Sequence, residues 1–176
     1  MINWENVEFK NEKRFLSNMY PCSIIFEEID EIKGMFSNIP FDGETYGSSE
    51  HIYMAMKSNN PLWHKKIRGM DEPHKTKTAA RKYLQKDLLF ETEEVFSFRE
   101  DWDEVKYEIM KAIIYLKFIQ NKYLANQLIN IEGYIEERND WNDTYWGTYD
   151  GNGENNLGKI LMEVREYLKN IRIKNV

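Results

Sequence analysis

An acid and a base stand seven residues apart in the segment YGSSEHIYMAMK, residues 46–57. Ser48 and Ser49 are favoured helix N-cap residues, and the apolar residues that follow recur at helical spacing. A helix starting there would carry Glu50 and Lys57 on one face, about 10 Å apart at about 1.5 Å per residue. The two charges could then flank a bound group. The alternative is a surface glutamate in a first turn, where the helix dipole favours acids.

A second polar segment, EERNDWNDTYWGTYDGNGEN, combines flat rings with hydrogen-bonding groups, and we call it the polar loop. Trp141 and Trp146 could stack on a base, while Asp143 and Asn155 could bond ribose hydroxyls or base edges. Gly147 would allow a phosphate to approach the backbone N–H groups. Loops of this kind commonly carry function. The alternative is a glycine-rich turn whose tryptophans belong to the core.

Two further segments contain candidate ligand contacts. Trp102, in REDWDEV, is either a core residue or a platform for a ligand, and Asp101 or Asp103 could cap the helix that follows. Asn18, in RFLSNMYPC, is either a turn residue or a ligand contact.

The composition is that of an ordinary globular protein. The chain has 176 residues, of which 41% are hydrophobic and 31% are charged. No apolar run reaches the ~18 to 20 residues of a membrane span, so no membrane partner is expected. A lone cysteine, Cys22, predicts a reducing, cytoplasmic setting. His51, His64 and His74 lack metal-ligand spacing, so neither a metal nor a cofactor is predicted.

Charge is distributed unevenly along the chain. The net charge is -6, which argues against a general nucleic-acid coat. Residues 57–86 nevertheless hold nine Lys and Arg against two acids. A basic island in an acidic protein favours a phosphate-bearing ligand, although for most of these lysines a solvated helix face is the simpler reading.

Periodicity predicts an α+β fold, a single mostly helical domain with a small β-sheet. Strands are predicted in CSIIFEEI and FDGETYG. The predicted helices begin near Ser48 or Ser49 and cover residues 71–85, 101–121, 122–130 and 157–171.

These segments, in this order, resemble the NADAR family (the YbiA-like domain). The matching motifs are FLSN at 15–18, YP at 20–21, Gly43 with Tyr46, EH at 50–51 with Lys57, Arg99 with DW at 101–102, KF at 117–118 with Asn121, E-x-N-x-W-x-D-x-x-WG at 137–147, G-x-N-x-LG at 153–158 and LM-x-VR at 161–165. They run from residue 14 to 165, which implies one YbiA-like domain over 1–176. Two features depart from the family pattern: a longer segment at 22–41, and Ala80 where the family tends to have glycine.

The resemblance implies an N-glycosidase that breaks the bond between a ribose phosphate and a base-type nitrogen. Glu50 would face the oxocarbenium-like charge on the ribose, with Asp143 as a second acid. Lys57 would either hold phosphate or form a Schiff base with the opened sugar. Lys77 and Arg81 match the family's basic pattern and would bind phosphate.

In the same reading, Trp102 and Trp146 would stack the leaving base and Asn155 would bond its edge. The implied substrates are ribosylaminopyrimidine phosphates of riboflavin synthesis. One alternative is ADP-ribosyl-guanine in nucleic acid, whose hydrolysis would act as an antidote to a DNA-modifying toxin. Another is a module that binds ADP-ribose or NAD without turnover, against which the retained Glu50 argues. The sequence predicts no oligomeric state.

Overall fold

The computed structural model describes residues 9, 11–90, 92 and 94–174. The chain divides into two compact units. The central unit is Asn18–Lys117, and the terminal unit consists of the described parts of Met1–Ser17 and Phe118–Val176.

Six α-helices and four short strands occur in the described residues. In chain order the elements are β1 Ile24–Ile25, β2 Thr45–Tyr46, α1 Ser49–Ala55, α2 Pro61–Arg68, α3 Pro73–Tyr83, β3 Leu84–Gln85, β4 Phe96–Ser97, α4 Trp102–Gln120, α5 Lys122–Ile129 and α6 Asn156–Lys174. Two 3₁₀ segments, Asn11–Leu16 and Asp30–Ile32, complete the set. The predicted mostly helical α+β fold is confirmed.

The β structure forms two separate pairs of strands. Strands β1 and β2 are antiparallel, with Ile24 opposite Tyr46 and Ile25 opposite Thr45. Strands β3 and β4 are parallel, with Leu84 opposite Phe96. The first pair lies within the two predicted strand segments, although each strand is only two residues long. The second pair was not predicted.

Helix α2 was also not predicted, although its boundaries carry ordinary signals. Asn60 caps it, with its side-chain oxygen accepting a hydrogen bond from the Leu62 N–H at 2.8 Å. Pro61 occupies the first turn and Gly69 follows the last residue. The other five helices lie where the sequence predicted helices.

Helices α1, α2 and α3 pack together in the central unit. The largest buried side chain there is Trp63 of α2, whose indole N–H donates to the Met54 carbonyl of α1 at 2.9 Å. Its ring lies 5.5 Å from that of Phe96. Because α1 is covered by its neighbours, all seven of its residues are buried, including its glutamate.

Helices α5 and α6 pack against each other in the terminal unit. Arg165 of α6 stabilises the turn after α5, because its guanidinium donates hydrogen bonds to the carbonyls of Ile131 at 3.0 Å and Gly133 at 2.9 Å. Among the helices of the described residues, none is both long enough and apolar enough to cross a membrane.

Candidate active site

The first turn of α1 is held in place by its cap and by the segment that contains Asn18. Ser48 is in extended conformation, and its hydroxyl oxygen accepts from the His51 N–H at 3.3 Å. The Glu50 N–H donates to the Asn18 carbonyl at 3.0 Å. The predicted N-cap is therefore confirmed at Ser48, and Asn18 lies directly against the residue that carries the candidate carboxylate.

His51, on the next position of α1, is fixed as one neutral tautomer. Its Nε2 lies 2.9 Å from the Met70 carbonyl oxygen, which can only accept, so Nε2 carries the proton. Nδ1 therefore accepts from the Ser48 hydroxyl at 2.7 Å. Burial lowers the pKa of His51, which agrees with a neutral ring. The pair stabilises the start of α1 and is not a metal ligand set.

Glu50 is 3% exposed. Its Oε1 makes no hydrogen bond with any described residue. The Lys77 ammonium of α3 lies 3.7 Å from it, too far for a hydrogen bond but close enough for charge attraction. Burial raises the pKa of Glu50, while Lys77 and Lys57 oppose the rise. A buried acceptor without a hydrogen bond is costly, which makes this oxygen a candidate contact for a substrate.

Lys57 does not lie on the helix, contrary to the sequence prediction. Helix α1 ends at Ala55, and the Lys57 N–H donates to the carbonyl three residues back, that of Met54, at 3.4 Å. The Lys57 carbonyl then accepts from the Arg99 N–H at 2.9 Å. This hydrogen bond holds Lys57 against a segment 42 positions away, at a point where the chain has left the helix. A local sequence pattern cannot reveal such a contact.

The Lys57 ammonium lies against two aromatic rings. Its Nζ is 5.4 Å from the centre of the Tyr53 ring and 5.6 Å from that of Trp102. Burial lowers the pKa of Lys57, and the nearby cations Lys77, Arg81 and Lys106 lower it further, whereas Glu50 raises it. A lysine in these surroundings gives up its proton more easily than one in water, as a nucleophilic amine must.

Trp102 lies almost wholly inside the protein. It is 6% exposed and packs against Tyr53 at 4.9 Å and Phe98 at 6.1 Å between ring centres. The packing of Trp102 therefore agrees with the alternative that it is a core residue, and stacking of its ring on a ligand stays a prediction. Asp101 binds the Arg99 guanidinium through both oxygens, at 2.6 and 2.8 Å.

A cavity of about 640 Å³ opens beside this segment, lined by residues 58–61 and 97–101. The first of its lining residues, Ser58, directly follows Lys57 in the chain. Neither Glu50 nor Lys57 is among the lining residues, so this cavity does not enclose the two charged side chains. Within the described residues, no three His, Cys, Asp or Glu side chains come together as metal ligands would.

The polar loop, residues 136–155, belongs to the terminal unit, and two of its polar side chains, Asn139 and Asp143, hydrogen-bond to the loop's own backbone. The Asn139 amide donates to the carbonyls of Asp143 at 2.8 Å and Thr148 at 3.0 Å. The Asp143 carboxylate accepts from the N–H groups of Tyr145 at 3.1 Å and Trp146 at 2.9 Å. These bonds shape a tight turn, and a catalytic role of Asp143 stays a prediction.

The side chain of Asn155 also forms its hydrogen bonds within the terminal unit. It is 1% exposed, its oxygen accepts from the Glu137 N–H at 2.9 Å, and its amide donates to the Ile135 carbonyl and the Tyr134 hydroxyl, each at 2.9 Å. Both amide hydrogens are thus used within the protein. A bond from Asn155 to a base edge stays a prediction that would have to compete with these partners.

Gly147 is required by packing within the loop. A Cβ at this position would lie 2.1 Å from the Glu137 carbonyl oxygen and 2.9 Å from the Asn139 amide nitrogen. The space predicted for a ligand's phosphate is therefore occupied by the chain on that side. Trp141, in contrast, is 63% exposed and keeps its ring free to stack.

Sequence reasoning missed Ser49, Arg99 and Lys117. The buried Ser49 hydroxyl has no hydrogen-bond partner among the described residues. Lys117 is fully buried, which lowers its pKa to about 8. The motif positions of Arg99 and Lys117 were visible in the sequence, but nothing in it indicated their burial.

A model of the NADAR domain family matches residues 4–169. The chain belongs to the NADAR family. An N-glycosidase of Escherichia coli, YbiA, is 31% identical over 156 residues, which cover 85% of this chain and 91% of that protein. A riboflavin biosynthesis protein of Vibrio vulnificus is 32% identical over 156 residues, which cover 88% of this chain but only 35% of that longer protein.

The solved structure of E. coli YbiA, determined by NMR, has the same fold as this NADAR protein. The two superpose with a TM-score of 0.73 at 24% identity, covering 98% of this chain and 90% of that one. At this identity the likeness establishes the fold alone.

Proposed function

We propose that this NADAR protein hydrolyses the C1–N bond between a ribose phosphate and a base-type nitrogen. The enzyme class, a hydrolase of N-glycosyl bonds, follows from the relatives named N-glycosidase. The observation that carries the proposal is the buried carboxylate of Glu50, one oxygen of which makes no hydrogen bond with a described residue and lies 3.7 Å from the Lys77 ammonium. The riboflavin-related relative favours a ribosylaminopyrimidine phosphate as substrate.

The chemistry follows from charge. As the C1–N bond breaks, its electron pair leaves with the nitrogen, and positive charge develops on the ribose. The Glu50 carboxylate stabilises that charge and accepts a proton from the water that attacks C1. The proton that Glu50 accepts passes on to the leaving nitrogen, directly or through solvent. The products are therefore the ribose phosphate with a new C1 hydroxyl and the base with a new N–H. Such a carboxylate typically contributes about 10²- to 10⁴-fold to the rate.

The surrounding charge favours an anionic substrate. Lys57 and Lys77 act electrostatically on Glu50, and Arg81 and Lys106 act on Lys57. Lys106 is itself paired with Asp103 at 2.6 Å and Lys77 lies 3.7 Å from Glu50, so Lys57 and Arg81 are the cations best placed to attract the phosphate of a ribose phosphate.

The test is to incubate the protein with the ribosylaminopyrimidine phosphate and to measure ribose phosphate release. Glu50→Gln should lower kcat by about 10²- to 10⁴-fold. The matched control is Glu72→Gln, an exposed acid of the central unit whose loss should leave kcat unchanged. Absence of release by the wild-type protein from this substrate and from the nucleic-acid substrate below would sink the proposal. Retained binding of ADP-ribose in that case would identify a non-catalytic module.

Lys57 has two possible roles that chemistry can separate. In the covalent route, the sugar ring of the substrate opens to an iminium between C1 and the base nitrogen. The unprotonated Lys57 amine adds to C1 and expels the base as an amine, which leaves C1 bound to Lys57 as an imine that water then hydrolyses. Borohydride would then reduce the imine and trap an adduct, which Lys57→Arg should abolish. Full activity of Lys57→Met would remove the lysine from the mechanism.

A second candidate substrate is ADP-ribosyl-guanine in DNA. It is favoured by basic side chains around aromatic rings: half-buried Lys66 and exposed Lys82 lie 4.4 and 4.8 Å from the Tyr83 ring centre, and exposed Lys86 lies 5.4 Å from that of Phe98. Cations and rings in this arrangement suit a phosphate backbone with unstacked bases. Release of ADP-ribose from a modified oligonucleotide, with a rate that falls as salt rises, would select this substrate.

A further inference from the structure

The two basic residues of α3 that were predicted to bind phosphate have different surroundings. Lys77 and Arg81 are four positions apart, so they lie on the same face of the helix. The Lys77 ammonium is 3.7 Å from Glu50 Oε1. Arg81 is exposed and has no hydrogen bond or ion pair with any residue that the structure describes. One cation of the pair is therefore already engaged with the acid, and the other is available.

The ion pair between Lys77 and Glu50 joins a partly exposed side chain to a buried one. Its side chain is 38% exposed, whereas that of Glu50 is 4% exposed. The flexible stem thus brings a charge from the solvent edge to a carboxylate inside the central unit. A buried carboxylate without a nearby cation would take up a proton instead of remaining charged. This contact therefore favours the ionised form that the proposed reaction needs.

Charged groups from several elements face Glu50. Lys57, just beyond α1, and Lys77 of α3 both act on its charge. Arg81 of α3 and Lys106 of α4 act on Lys57. His51, the neighbour on α1, is neutral, and α2 contacts α1 through the uncharged Trp63. The Lys77 ammonium lies 3.7 Å from the Glu50 carboxylate, so among these cations Lys77 has the largest expected influence on the ionisation of Glu50.

We propose that Lys77 is the counter-ion that keeps Glu50 ionised, and that Arg81 is the residue of α3 that binds the anionic group of the substrate. Lys77 is thus a positioning residue that acts through Glu50. This division of roles rests on the proposed function for Arg81, but the part concerning Lys77 is a property of the free protein.

The experiment compares Lys77→Gln with Arg81→Gln as a matched pair on one helix face. The Glu50 carboxyl carbon is followed by ¹³C NMR during a pH titration, and its resonance is assigned by its absence in Glu50→Gln. Loss of the Lys77 charge should raise the pKa of Glu50 by about one unit or more, because an opposite charge this close typically lowers it by that amount. Arg81→Gln should leave the titration nearly unchanged.

Lys77→Arg provides the rescue, because it keeps a cation of similar reach and should hold the titration near that of the wild-type protein. An unshifted titration in Lys77→Gln would overturn the counter-ion role, whether or not any substrate is turned over. If activity is observed, the acid limb of the kcat/KM profile should move to higher pH in Lys77→Gln, while Arg81→Gln should raise KM with an unmoved limb. An Arg81→Gln variant with unchanged KM would overturn the anion-binding role alone.

Discussion

Two polar regions of this protein differ in how fully their buried polar groups are hydrogen-bonded. In and next to the polar loop, Asn139 and Asn155 donate their amide hydrogens to backbone and side-chain partners, although one carboxylate oxygen of Glu137 is buried without a hydrogen bond among the described residues. At the start of α1, three such atoms lie within or against one turn of helix: Asn18 Oδ1, Ser49 Oγ and Glu50 Oε1. Hydrogen-bonded polar groups stabilise the fold, whereas buried groups without a hydrogen bond reduce its stability. The concentration of such groups favours the start of α1 as the candidate site.

Asn155→Ala should give the largest loss of stability that this comparison predicts. It leaves the Glu137 N–H and the Ile135 carbonyl without their partner, so the free energy of unfolding should fall by about 2–4 kcal/mol. Urea denaturation measures it. Asn155→Asp keeps the acceptor but loses both donors, so it should be intermediate. A normal unfolding midpoint in Asn155→Ala together with a raised KM would contradict the structural role of Asn155 and indicate that its amide contacts the substrate.

Gly147→Ala should come next. The added methyl group would meet the Glu137 carbonyl oxygen at 2.1 Å, so the backbone must shift, at about 1–3 kcal/mol. Gly151→Ala is a useful comparison, because a Cβ there meets nothing within 4 Å, although its positive φ of 75° adds strain of a different kind. Equal stability of Gly147→Ala and the wild-type protein in thermal denaturation would show that the loop can yield at this point.

Glu50→Gln should have a smaller effect, of opposite sign. Burial raises the pKa of Glu50, so this carboxyl group favours the folded state at low pH, and that contribution is lost as the pH rises through the folded-state pKa. At pH 7 the uncharged variant should therefore be more stable than the wild-type protein, by about 1 kcal/mol. The difference should vanish below the ordinary pKa of about 4.5. Urea denaturation at pH 7 and below about pH 4.5 measures the difference. A Glu50→Gln variant that is less stable than the wild-type protein at pH 7 would mean that the ion pair between Glu50 and Lys77 stabilises the fold.

Trp141→Ala should barely change stability, by less than about 0.5 kcal/mol, because the ring is 63% exposed. Its effect should appear in KM, raised about tenfold if the ring stacks on the base. Trp63→Ala, which removes a fully buried ring, is the contrasting variant and should unfold the protein far more readily. An unchanged KM in Trp141→Ala would leave the ring without the predicted role.

Local patterns were enough to predict most helices, because their signals are confined to a few neighbouring residues. Ser48 as a cap, Pro73 in a first turn and the apolar stripe of α4 are examples. Helix α2 escaped prediction because its eight residues include only two buried ones, Trp63 and Ile67. The strands are two residues long, too short for alternation to specify them.

The candidate site was predicted in its residues but not in its geometry. Glu50, Lys57 and Lys77 were singled out from residue type and motif. The burial of Glu50 comes from α2 and α3 covering α1, and the displacement of Lys57 from the helix comes from Arg99. Both contacts join distant parts of the chain, which local periodicity does not report.

The position of Lys57 over the Trp102 ring gives the site an optical reporter of its own. The emission of a buried indole responds to a charge at short range, and here the ammonium lies 5.6 Å from the ring centre. Conversion of that ammonium to an imine, or its engagement by phosphate, changes the electric field at the indole. In a variant whose other four tryptophans are replaced by phenylalanine, stopped-flow fluorescence would then follow events at Lys57 during a single turnover, without a labelled substrate.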